Sequence, residues 1–292
     1  MPSWKKFFYT ILILLVAGTY LGRTKVEDFF TNYGQKLSDF QDYAENYVAA
    51  KIQKNVSTPP PLRAEKESPS PVLSQAGTFR WTNINRRNDG EPALRENQKL
   101  DQAALRKVQD MFRNQYFEHI SPNGKGPQDL AANVSYDYIA IGENLALGNF
   151  ASDEELLAAW MASPGHRANI LNKGFTEIGV AVMPGRFEGK DTWIAVQEFG
   201  SPLSLCPAVD SNLKNEIASN NKKISDLSRQ LADQRNTINA MKKNDPALSQ
   251  KIDDYNSLVK EYNSLVAKTK NLVENYNTGV KLFNDCVKNY SQ

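Results

Sequence analysis

The sequence predicts a mixed α/β globular domain held between two helical segments, and three observations predict it. Its middle third alternates helix-period stretches with strand-like runs ("TEIGVAVM", "TWIAVQEF") separated by sharp turn signals. Its final third repeats apolar residues at alternating spacings of four and three, the mark of a helical seam. Its start carries an apolar run behind two lysines. At 292 residues, with 35 basic against 33 acidic side chains and no basic stripe, the chain has room for about two domains and no surface suited to nucleic acid.

Residues 1–23 are read as a signal anchor or transmembrane helix. Phe7–Gly22 is uncharged and largely apolar, about 16 residues against the roughly 20 that span a bilayer comfortably. Lys5 and Lys6 place its start on the cytoplasmic side. A cleaved signal peptide has the same polarity, but "VAGTYLG" makes a poor cleavage site. Either reading exports the remainder, so the expected partner is a membrane held through the N-terminal helix, or a secreted state if that helix is removed.

Residues 24–56 follow as a helical stalk, because Val26, Phe30, Tyr33, Leu37, Phe40, Ala44 and Tyr47 form one apolar seam. Residues 57–76, with "STPPPLRAEKESPSPV", read as an extended proline-rich linker. Residues 77–207 are the globular domain. A helix is expected over Gln98–Glu118, with Leu100, Ala104, Val108, Met111 and Phe112 on one side. Another opens at Ser152, with Glu155 three residues on as in a capping box. A Pro-Gly turn and a polar loop bound the two strand-like runs.

Residues 208–292 read as an antiparallel helical hairpin of coiled-coil type, closing at Asp245-Pro246. "YNSLVKE" and "YNSLVAK" repeat at heptad spacing on its second arm. That fold-back brings Cys206 and Cys286 to the same end, so on the exported side they are expected as a disulfide. Closing a loop of roughly 80 residues is worth about 4–5 kcal/mol by chain entropy. Two free thiols, and a seam that pairs with another chain, are the alternatives.

The candidate chemistry lies in the globular part. The chain has only two histidines, His119 in "YFEHISPNGKG" and His166 in "SPGHRANIL". Singly, each has an unremarkable reading: His119 as a helix-end residue favoured by the dipole, His166 as a polar loop residue after a helix-stopping "SPG". Glu143 sits between apolar flanks in "AIGENLALG", where a merely solvated carboxylate is not expected.

Taken in order, "INRRNDGEPALRENQKLDQAALRKVQDMFRNQYFEHISPNGKG", "IGENLA", "WMASPGHRANIL", "FTEIGVAV" and "WIAVQEFG" resemble the bacterial branch of the CAP superfamily. The superfamily is named for cysteine-rich secretory proteins, antigen 5 and pathogenesis-related 1 proteins, and the likeness spans roughly residues 77–201. The resemblance implies an α-β-α sandwich with a cleft holding histidines and glutamates. His119 and Glu143 match the family's first histidine and its G-E-N glutamate, and His166 matches the bacterial H-R-x-N-I-L histidine. The eukaryotic G-H-Y-T-Q histidine has no counterpart in "KGFTEIG". For a further glutamate Glu198 ranks above Glu177, because it alternates with Ile194 and Val196 on a buried strand face, and Glu155 is discounted by its capping role.

His119, His166 and Glu143 suit a divalent metal such as zinc, or acid and base roles. No nucleophile stands out: Ser163 lacks a G-x-S-x-G context, and there is no H-E-x-x-H. The expected function is binding of a lipid, peptide or cell-envelope ligand in the histidine–glutamate cleft. A metal-dependent hydrolase of peptide or envelope polymer, and an anchored scaffold with a coiled-coil partner, are the other readings.

Overall fold

In the computed structural model the structure describes residues 54–242 and 244–290. The anchor at 1–23 and nearly all of the stalk at 24–56 lie outside the described residues. Among those described, no helix is long and apolar enough to cross a membrane.

The described chain forms two compact units. The first, built from residues 54–208 and 282–290, holds a six-stranded sheet. Its elements are β1 (Asn55–Ser57), β2 (Leu62–Arg63), α1 (Gln75–Asn88), β3 (Arg95–Glu96), α2 (Gln98–Asn114), α3 (Pro127–Asn133), β4 (Tyr138–Leu147), α4 (Asp153–Ala162), α5 (Pro164–Ile170), β5 (Glu177–Phe187) and β6 (Lys190–Pro202). Strands β4, β6 and β5 form the antiparallel centre, with Glu143 opposite Glu198. β1 and β2 lie in parallel along the outer edge of β4, and β3 pairs in parallel with β5.

Alternation along β4 and β6 gives the sheet two apolar faces, and helices cover both. On one face Leu156, Leu157 and Trp160 of α4 and Ile170 of α5 pack on Ala140, Ala146, Val180 and Phe199. On the other, Ala104, Val108 and Met111 of α2 pack on Leu145, Val196 and Ile194, while Leu100 and Ala131 cover Ile141. The result is an α-β-α sandwich. α2 starts on Asn97, whose side chain accepts from the amides of Lys99 and Leu100, and stops at Gln115 in the left-handed region. Ser152 caps α4 by accepting from the Glu155 amide, and Glu155 returns to the Ala151 amide.

Several expectations are corrected. The segment 57–76 is not a free linker: it supplies β2 and the start of α1, and β1 takes the last residues assigned to the stalk. α2 ends at Asn114, so His119 lies in the following loop and caps no carbonyl of that helix. The "SPG" does stop α4, which ends at Ala162, but Pro164 also opens a new helix, at the first-turn position where its missing N–H costs nothing, so His166 is helical and not a loop residue. Pro184-Gly185 runs inside β5, and the turn falls at Glu188-Gly189, where both residues have positive φ.

The second unit comprises residues 209–281. Here α6 (Ser211–Ala240) packs on the part of α7 (Leu248–Tyr290) that belongs to this unit. Ile217 meets Val273, Tyr276 and Val280, while Ile224, Leu227 and Leu231 meet Tyr262, so the two run antiparallel. Cys206 and Cys286, both in the first unit, are joined as a disulfide.

Candidate functional site

β4 and β6 place Glu143 and Glu198 side by side on the face that α2 covers. The loop after α2 then carries His119 over Glu143, with His119 Nδ1 2.6 Å from Glu143 Oε1. Lys107, one turn before Met111 on the buried side of α2, holds that loop by donating from Nζ to the His119 carbonyl at 2.6 Å. His166 enters from the first turn of α5, its Nδ1 2.8 Å from Ser163 Oγ. All four candidate side chains are buried, at 8% exposure for His119, 0% for Glu143, 1% for His166 and 2% for Glu198.

Burying ionisable groups together moves their proton affinities. Burial, reinforced by the Glu143 carboxylate and offset by Lys107, pushes the Glu198 carboxyl well above the usual range. Burial and the neighbouring His119 lower the His166 imidazole to about 4, so it is neutral at physiological pH. Burial also lowers the Lys107 ammonium, against the pull of Glu143 and Glu198. His119 Nε2 lies 2.5 Å from the Pro59 carbonyl. A carbonyl can only accept, so Nε2 carries a hydrogen.

A buried polar lattice holds the site's other wall. Asn144 donates from Nδ2 to the His166 carbonyl and to Gln197 Oε1, and Gln197 donates to Thr82 Oγ1 on α1. Asn169 donates to Asn144 Oδ1, tying α5 to β4. Glu143 and Glu198 pair carboxyl to carboxyl, and His166 Nε2, although buried, has no hydrogen-bond partner in the protein.

Of the residues singled out in the sequence, the structure brings His119, Glu143, His166 and Glu198 into one neighbourhood. Glu177 lies elsewhere, accepting from Arg95, Asn97 and Tyr136. Glu155 is engaged in its helix cap. The expected zinc set of His119, His166 and Glu143 does not fit this arrangement. Among the described residues no three His, Cys, Asp or Glu side chains are placed to hold a metal, and both His119 ring nitrogens already face protein oxygens. Two participants were missed, Lys107 and Pro59. A lysine on the buried side of an otherwise apolar helix was a signal for the first; Pro59 gave none.

The sheet-bearing part of the chain is similar to known proteins. Residues 79–199 match the family model described as CAP, the cysteine-rich secretory protein family. The uncharacterized protein YkwD of Bacillus subtilis (strain 168) is 36% identical over 165 residues, which cover 54% of this chain and 62% of YkwD. The uncharacterized membrane protein YlbC of the same strain is 26% identical over 168 residues, 56% of this chain and 48% of YlbC. Both matches therefore span less than two thirds of the relative's own length. A solved extracellular protein containing an SCP domain, from Bacillus anthracis str. Ames, is 30% identical with a TM-score of 0.38, covering 43% of this chain and 39% of that one. By its sandwich and by the match over residues 79–199, this chain carries a CAP domain.

Proposed function

We propose that this is an exported ligand-binding protein whose CAP domain takes a lipid, peptide or cell-envelope component at the His119–Glu143–His166–Glu198 cluster. An N-terminal anchor at 1–23 and a stalk ending before β1 would carry the CAP domain, and a coiled-coil hairpin would follow it. The observation that carries the reading is the buried, partnerless His166 Nε2 beside a buried pair of carboxyl groups. A purely structural network satisfies its own atoms, because each orphan costs about 1–3 kcal/mol. Groups kept at that cost are groups that a bound molecule can satisfy.

One contact favours hydrolysis as a second reading. Ser163 Oγ and His166 Nδ1 are within hydrogen-bond reach, as a serine nucleophile and its base must be. The pair is incomplete, since the base of such a pair is oriented through its other nitrogen and His166 Nε2 has no partner. Binding is therefore the better-supported role.

The test is co-sedimentation of the full-length chain with purified bacterial cell-wall sacculi and with phosphatidylglycerol liposomes, wild type beside His119→Ala and Glu143→Gln. Retention should fall about tenfold or more in His119→Ala, the loss expected when a buried polar contact of about 1.4 kcal/mol or more disappears. Retention unchanged in both variants, with unfolding temperatures near wild type, would remove the cluster from ligand binding.

A further inference from the structure

The proline-rich segment beside the cluster behaves as a bound peptide does. Asn55–Ser57 pairs in parallel with Ala140–Gly142, and Leu62–Arg63 pairs with Ala146–Leu147. Between them Thr58–Pro61 leaves the β4 edge opposite Glu143–Leu145. Three consecutive prolines have no N–H to give a ladder, so the chain arches there and its carbonyls are free to turn elsewhere. The Pro59 carbonyl takes the His119 Nε2 hydrogen. The Pro59 ring sits against the backbone of Gly165, where an added Cβ would meet Pro59 Cβ at 2.7 Å. Pro59 thus lies between the His119 loop and the first turn of α5 that carries His166.

The segment is laid on the domain more than built into it. Of residues 54–67 only Pro59 is buried. Its other ties are the Lys54 ammonium over Tyr138, the Arg63 guanidinium over Phe117 and Phe187, the Ala64 amide donating to the Leu147 carbonyl at 2.9 Å, Asn169 Nδ2 donating to the Ser57 carbonyl, the Asn149 amide donating to Glu67, and half-buried Leu62 and Ala64 against the core. An edge strand tied this way can exchange with another strand of the same chemistry.

We propose that the site's ligand class is an extended polypeptide with proline at the position facing His119, and that residues 55–63 are its intramolecular competitor. A partner strand would pair with the β4 edge at 140–142 and 146–147 and place a proline carbonyl on His119 Nε2. This rests on the reading of the cluster as a ligand site and names what it binds. The tether gives the resident strand a high effective concentration, so the intact protein is self-capped and opens only to a stronger or more concentrated strand.

The test uses a fluorescein-labelled peptide of residues 54–67, KNVSTPPPLRAEKE, and the full-length chain. Two release variants, both altered only in the resident segment, are compared with wild type: Arg63→Ala/Ala64→Pro, which removes the Arg63 cation–π contacts and the Ala64 donor, and Lys54→Ala/Arg63→Ala, which removes the cation–π contacts at both ends. Hydrogen exchange at Val56, Ser57 and Leu62 reports whether the strand is released. Fluorescence polarisation should show the labelled peptide binding a released variant at least about tenfold tighter than wild type. Adding His119→Gln, or changing the peptide's Pro59 to Ala, should reverse most of that gain. Exchange unaltered in both variants would make the segment a fixed part of the fold and overturn the proposal. So would release without tighter binding. If peptide binding fails while sedimentation still depends on His119, the peptide class alone falls; if both fail, the ligand-site reading falls with it.

Discussion

His166 and Glu198 are both buried in the cluster, and each pulls stability with pH in its own direction. His166 has a folded proton affinity below its unfolded value, so its contribution is present above about pH 6.5 and is lost as pH falls toward about 4. At most this is worth about 3 kcal/mol. Thermal unfolding of wild type and His166→Gln between pH 7.5 and 4.5 should show the wild type losing stability faster as pH falls. Glu198 has a raised affinity, so its contribution is present below the unfolded value of about 4.5 and is lost as pH rises. Glu198→Gln should therefore raise the unfolding temperature at pH 7.5, by an amount on the order of 1 kcal/mol, and change it little at pH 4. Lower stability at pH 7.5 would show the Glu198 carboxylate to be a favourable partner of Lys107. At this scale the sequence exposed the two histidines through their scarcity and Glu143 through its apolar flanks. It concealed Pro59, whose importance comes from a tertiary neighbour sixty residues away along the chain.

Among the elements, those with a local cause were legible. α2 showed its apolar side, α4 its Ser152 cap, and α6 and α7 their four–three spacing. β4 was hidden because Gly142, Glu143 and Asn144 interrupt its apolar run, and it is a strand because β6 pairs it along nearly its full length. β1 and β2 were hidden for the same reason in sharper form: a proline-rich stretch becomes strand only where another strand receives it. α5 was lost because Pro164, read only as the end of α4, also stands at the start of the next helix. Trp160 tests the helical layer. It is fully buried between α4 and the sheet, and its indole donates to the Leu145 carbonyl at 3.3 Å. Trp160→Ala should cost about 3–5 kcal/mol in chemical denaturation, with the slope against denaturant kept. A loss under 1 kcal/mol would mean that the layer re-forms without it.

Across the whole molecule, the order of apolar seam, turn signals and paired cysteines marked out the broad organisation, while the site needed the sheet to assemble it. The Cys206–Cys286 bond closes a separation of 80 residues. Cys206→Ser/Cys286→Ser should lower stability by up to about 4–5 kcal/mol, read by calorimetry under non-reducing conditions. Stability unchanged would show that the bond constrains nothing the fold does not already fix. The central claim is that the chain's two histidines serve one site. Imidazole NMR of the full-length chain from pH 3.5 to 8, wild type against His119→Gln, tests it most directly because only two rings contribute. The account predicts that His166 stays neutral down to about pH 4 and takes its proton at higher pH once His119 is gone, since one of the two causes holding it down is that ring. A His166 that titrates near 6.5, unmoved by His119→Gln, would contradict it and leave two unrelated histidines.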